Sequence, residues 1–294
     1  MALSKLSGDE QCIIFVQLCN VLDPGIAVAF SSASSELWAL TPALRQQLRA
    51  DHEVAAALCR KVGMRSCKAL REAKRVVWSN KGLSLADLAT LGTLGSVLPA
   101  LEVLHLMDPA AGPDGVQRLA EGLGAGALPA VTVLGLYGMR VGDAGASALA
   151  AALDQGALPR LKHLDLANAA IGDAGLVALA PALRRRPALE DLILNGNPFG
   201  VEGLAALLAP PPPPAGALSP PTGMLTKLRV LFLSNTQITD AGCAALAAAL
   251  DGGALPALEY LHMYGIPASD AAQDALMARF PDDSYEDEDD EDEE

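Results

Sequence analysis

Aromatic residues are scarce in this chain, at 4% of 294 positions, and none interleaves with its basic stretch as nucleic-acid stacking would require. Its five cysteines are an odd number without a Cys-x-x-Cys pair, which excludes a zinc site or a disulfide framework. Cys12, Cys19, Cys59 and Cys67 fall in helical-looking sequence, and Cys243 falls at a core position, where cysteine acts as a small hydrophobe. No run reaches the roughly 18–20 apolar residues needed to cross a bilayer. The opening MALSKLSGDE lacks the apolar stretch of a signal peptide. A reducing compartment, cytosol or nucleus, is therefore expected, with no membrane contact. Lysine and arginine are absent from residues 282–294, which hold 11 acidic residues and so carry most of the net charge of −14. Such a segment cannot form a core and is expected to be disordered.

What the chain does have is a frame of about 30 residues that recurs from residue 101 onward. It reads VTVLGLYGMRVGDAGASALAAAL from Val131, LKHLDLANAAIGDAGLVALAPAL from Leu161, LEDLILNGNPFGVEGLAALLAP from Leu189 and LRVLFLSNTQITDAGCAALAAAL from Leu228. Weaker copies begin at Leu101 and Leu258. Apolar residues at frame positions 1, 4 and 6, such as Leu161, Leu164 and Leu166, have strand spacing. A further apolar residue at position 11 precedes a Gly-Asp-Ala-Gly turn, whose Asp143, Asp173 or Asp240 is expected to cap the helix that follows. That helix is apolar at i, i+3, i+4 and i+7, as in Ala146, Leu149, Ala150 and Leu153. A degenerate copy with Ala73, Val76, Trp78 and Leu83 at positions 1, 4, 6 and 11 is expected to close the N-terminal end. The fold class is α/β: a curved solenoid of six to seven strand–helix units whose parallel strands line the concave side.

Strand, turn and helix in each unit resemble the ribonuclease-inhibitor-like class of leucine-rich repeats over roughly residues 73–280. Members of that class place Asn, Cys or Thr at position 9. Asn197 and Thr236 fit, whereas Pro109, Met139, Ala169 and Ile266 do not, so a continuous Asn ladder is not expected. The proline-rich run 210–223 lengthens its unit to 39 residues and reads as an insertion between a helix and the next strand. The expected domains are a helical one at 1–72, the solenoid at 73–281 and the acidic tail at 282–294.

Residues 1–72 read as helices at about 9–22, 26–40, 42–50 and 51–72. The run LSGDEQCIIFVQLCNVLDPGIAVAFSSASSELWAL resembles an F-box, with Leu6, Asp9, Glu10, Ile14, Phe15, Leu18, Leu22, Asp23, Pro24 and Trp38 in that motif's roles. Ser7 replaces the usual proline, residues 19–21 read as a small insertion, and Ser34 or Ser35 replaces the cysteine before the tryptophan. The resemblance implies that Leu6, Ile14, Phe15, Leu18, Leu22, Pro24 and Trp38 contact a ubiquitin-ligase adaptor. The alternative is a helical cap packed on the first repeat. Residues 42–81 carry ten Lys/Arg against three acids, which a solvated helix face explains without nucleic acid.

No catalytic constellation emerges. His105 and His262 share position 5 of distant units and cannot share one metal, His163 has Asp165 nearby but no nucleophile, and no Lys-Ser/Thr follows the Gly-Asp-Ala-Gly turns as in a phosphate loop. The chain is read as a non-enzymatic monomer with neither metal nor cofactor. Its working surface is the concave face, where His105, Tyr137, Asp165, Asn195, Phe232, Tyr260, His262 and Tyr264 occupy positions 5 and 7, or 3 for Tyr260, of their strands. Three of the four tyrosines lie there, and aromatics are favoured interface anchors. The function expected is protein–protein interaction, with an F-box-type substrate receptor as the leading specific form. Two other readings stay open. Ran GTPase-activating proteins also join this repeat class to an acidic tail, though nothing singles out Arg140 or Asn168 as their essential residues. An acidic repeat protein that shields histones is the third.

Overall fold

This computed structural model describes residues 7–209 and 225–280. Leu6, the proline-rich segment 210–223 and the tail 282–294 lie outside them. Seven strands form one parallel sheet in chain order: β1 (Arg75–Ser79), β2 (Val103–Met107), β3 (Val133–Gly135), β4 (His163–Asp165), β5 (Asp191–Ile193), β6 (Val230–Phe232) and β7 (Tyr260–His262). The register keeps the frame: Val76 pairs Leu104, which pairs Leu134, and the row continues through Leu164, Leu192 and Leu231 to Leu261. All seven are buried, so strand position 4 points into the core in every unit, including the degenerate first one. One slipped residue would turn this row out to solvent, and this fixes the pairing.

Between strands run α6 (Leu85–Leu94), α7 (Pro113–Gly122), α8 (Gly142–Asp154), α9 (Asp173–Arg184), α10 (Val201–Leu208) and α11 (Asp240–Asp251), with α12 (Asp270–Met277) after β7. Each packs on the next. Because packed helices need 8–10 Å and paired strands under 5 Å, the stack bends with its strands inside. The contact between α6 and α7 is tightest. A Cβ on Gly92 would lie 2.4 Å from the Leu119 carbonyl oxygen, and one on Gly122 would lie 2.9 Å from the Gly92 backbone.

The turns follow the frame with one correction. Asn197 is fully buried; its amide donates to the Leu166 and Leu194 carbonyls, both at 2.8 Å, and its oxygen accepts from the Ala169 and Ile171 N–H groups at 3.2 and 2.9 Å. Thr236 donates to the Leu233 carbonyl at 2.8 Å. Where the first units lack such a residue, buried Asp108 accepts from the Leu83 N–H at 2.9 Å. The expected aspartate caps are made to the next repeat instead of the residue's own helix. Asp143 accepts from the Gly172 and Gly175 N–H groups at 2.7 and 3.0 Å, Asp173 from Gly200 and Gly203 at 2.9 and 2.6 Å, and Asp240 from the Ser269 N–H at 2.6 Å. The carboxylate already lies in the first turn, where it is poorly placed to bond that turn's own donors, while the neighbouring turn presents two.

Before the sheet come α1 (Gly8–Leu18), α2 (Gly25–Ser31), α3 (Ser35–Leu40), α4 (Pro42–Val62) and α5 (Cys67–Glu72). All four expected helices change: 9–22 stops at Leu18, 42–50 merges with the start of 51–72, and the end of that span forms α5. The span 26–40 breaks because Ser31 and Ser32 turn their hydroxyls onto the Val28 carbonyl, and Ser34 then caps α3. The expected break at residues 50–51 is absent. No Gly or Pro stands there, Gln47 donates to Asp51 at 2.7 Å across the junction, and the helix runs on to Gly63, whose φ of 83° ends it. Ser7 and Glu10 form a capping box on α1, which is what serine gives in place of the motif's proline. Phe15, Ala27 and Leu48 form a small separate core. The main core instead starts at Leu22 and the C-terminal half of α4, then runs unbroken through the solenoid to Leu276.

Candidate functional site

Strand side chains at positions 3, 5 and 7 face away from the core and line a groove of about 440 Å3 spanning β1 to β6. Its floor alternates apolar and titratable groups. His163 on β4 sits directly across from Asp191 on β5, and its Nδ1 makes a short hydrogen bond to the Asp191 carboxylate. That bond raises the imidazole above its ordinary value, against the opposing effect of burial. Asp165, also on β4, does not pair with His163. Burial pushes its carboxyl up, opposed by the Ala167 N–H bonded to Oδ1 at 2.8 Å and by the nearby charge of His105. His105 reaches that neighbourhood because Gly135, on the strand between, has no side chain: a Cβ there would lie 2.9 Å from the His105 ring.

Toward the C-terminal end the face becomes aromatic. Phe232 and His262 meet at a tilt of 54° with ring centroids 4.3 Å apart, and Tyr264 meets His262 edge-on at 5.9 Å. Tyr137 and Tyr264 are exposed, whereas Tyr260 is half-buried. Asn195 is committed to the fold, since its oxygen accepts from the Ser234 N–H at 2.7 Å. The structure thus brings His105 near Asp165 and groups Phe232, His262 and Tyr264, and it leaves Tyr137 apart from that cluster on β3's exit.

Sequence reasoning missed two features. Asp191 is one. The other is a row of charges at strand position 2, where Lys74–Glu102, Lys162–Glu190 and Arg229–Glu259 pair at 3.1, 2.9 and 2.5 Å. Both were visible as like frame positions in successive units. Exposed pairs of this kind add little stability each.

The helical segment separates its motif residues by burial. Phe15 and Leu22 are core residues, Ile14, Leu18 and Pro24 are half-buried, and Trp38 is 49% exposed beneath the Arg45 guanidinium, 3.5 Å from its ring centre. The exposed apolar set on α1 and α2 consists of residues the motif did not single out: Ile13 at 58%, Val16 at 54%, Ile26 at 56% and Val28 at 42%. Of the basic residues in 42–81, Lys61, Lys68, Arg71 and Lys74 are held by Asp87, Glu72, Asp23 and Glu102. Cys59, Cys67 and Cys243 are buried, and burial, with Cys67 alongside, pushes the Cys59 thiol up to about 12. Among the described residues no cluster of His, Cys, Asp or Glu has the makings of a metal site, and no helix is long and apolar enough to cross a membrane.

Residues 158–180, 187–208 and 225–247 each match a family model described as Leucine Rich repeat. The seven parallel strand–helix units have a leucine-rich-repeat-like fold. Domains of leucine-rich repeats generally serve as protein-binding scaffolds and are typically non-catalytic. Among solved structures, an internalin C2 from Listeria monocytogenes is similar at 19% identity, covering 77% of this chain and 80% of that one, with a TM-score of 0.42. Comparison with curated proteins gives no match.

Proposed function

We propose that the strand face of the leucine-rich repeats selects a protein partner while α1–α3 dock an adaptor, as in an F-box-type substrate receptor of a ubiquitin ligase. The observation that carries the docking half is the set of exposed apolar side chains on all three helices, Ile13, Val16, Ile26 and Trp38, within the F-box-like segment. Docked apolar side chains release ordered water and supply the driving force for association. The second half rests on the groove, which offers a rigid row of varied side chains rather than a catalytic pair. The chain would act as a monomer without cofactor, in the cytosol or nucleus.

Titration of a Skp-type adaptor into the full chain tests the docking half. Micromolar or tighter binding is expected, and absence of binding by folded protein would reduce α1–α5 to a cap on the first repeat. The GTPase-regulator and histone-shielding readings draw on the acidic tail, which lies outside the described residues, and no feature of the groove favours either.

A further inference from the structure

The charges of the groove are unevenly distributed. From β3 to β7, positions 3, 5 and 7 carry two carboxylates, Asp165 and Asp191, and no lysine or arginine. Asp191 is engaged by His163. Asp165 has one hydrogen bond among the described residues, from the Ala167 N–H to Oδ1, which leaves Oδ2 for a visitor. The arginine of the groove, Arg75, lies on β1, three strands and therefore roughly 14 Å from β4. Around Asp165 stand apolar Val133, Ile193 and Phe232 from the strands on either side, with the His105 ring reaching in from β2. Opposite it, Gly135 has no side chain and the His105 ring fills that space.

An anion in such a setting has lost water and gained few donors, an arrangement that repels a second anion and favours a cation carried on an apolar stem. We propose that the centre of the strand face is a receptor for one basic side chain of the partner, a lysine or arginine whose charge meets Asp165 and whose methylene stem lies along Val133, Ile193 and Phe232. This rests on the reading of the strand face as the partner-binding surface and is independent of adaptor docking by α1–α3. Burial's upward push on the Asp165 carboxyl agrees with it, because an arriving cation restores what desolvation took.

The test uses n-butylguanidinium as the probe and n-butanol as its uncharged counterpart, each titrated into the full isotope-labelled chain at neutral pH. Saturable shifts of the Ala167 amide are expected with n-butylguanidinium, with a Kd on the order of millimolar for so small a ligand. Asp165→Asn keeps an acceptor for the Ala167 N–H and should weaken the probe about tenfold or more, as loss of a charge-assisted bond does. On the unaltered chain n-butanol should bind at least about tenfold more weakly than the cation. Equal binding by the two probes, no saturation by about 100 mM, or equal affinity in Asp165→Asn would each overturn the proposal. The two-probe comparison decides the matter even if the variant fails to fold. Success or failure of the adaptor titration leaves this result untouched, so the two readings fall separately.

Discussion

Asn197 holds together more backbone than any other side chain in the solenoid, bridging the turns of two units from a fully buried position. Asn197→Ala leaves N–H groups of Ala169 and Ile171 and carbonyls of Leu166 and Leu194 without that partner. Each buried unsatisfied group costs about 1–3 kcal/mol, so a loss of about 3–5 kcal/mol is expected, read as a fall in the urea midpoint. The folded value of His163 is raised by a specific partner, Asp191. A histidine raised in the folded state adds stability that is fully present below its unfolded value of about 6.5 and is lost as pH rises through the folded value. The stability gap between the unaltered chain and Asp191→Asn should therefore be widest in mildly acidic solution and close above neutrality. Proton NMR should place the His163 midpoint above 6.5 and return it toward that figure in the variant.

Among elements, the α6–α7 contact has the least slack, since a methyl group at Gly92 would meet the Leu119 carbonyl oxygen at 2.4 Å. Backbone cannot move aside as a side chain can. Gly92→Ala should force the two helices apart and destabilise the fold by about 1–3 kcal/mol, despite alanine's better helix propensity, measurable as a lowered thermal midpoint. Strands and helices of the solenoid were legible in the sequence because leucines at positions 1, 4 and 6 can satisfy only a strand with one buried face. Even the degenerate unit with Val76 and Trp78 could be placed by that rule. The aspartate bridges were not legible, because a carboxylate in a first helical turn reads the same whether its donors lie in its own turn or 29 residues on, as from Asp143 to Gly172. Leu128, Leu158 and Leu255, each before a proline, adopt φ of 52°, a left-handed conformation no propensity argument assigns to leucine. Burial of these side chains in the core offsets that cost.

The whole molecule divides by surface more than by core. One hydrophobic core runs from α4 through α12, so the end helices and the repeats share packing, while Phe15, Ala27 and Leu48 serve only the first helices. The candidate site was partly legible. Period two fixes the side of each strand and so puts His105, Asp165, Phe232, His262 and Tyr264 at outward positions. What that rule does not report is which of them spend their polar atoms on the fold, as Asn195 does with the Ser234 N–H. Nor did motif roles distinguish buried Phe15 from exposed Ile13, because a helix of mostly apolar residues hides its inner face.

If two separate surfaces serve two partners, adaptor titration by calorimetry on three forms of the chain should separate them. The unaltered chain and the strand-face double variant Phe232→Ala, Tyr264→Ala should bind with the same micromolar or tighter Kd. The double variant Ile13→Asp, Trp38→Asp should lose at least about tenfold, since hot-spot apolar anchors are worth 1.4 kcal/mol or more. Binding that the strand-face change abolishes and the helix change spares would contradict the claim, as would no binding by any folded chain.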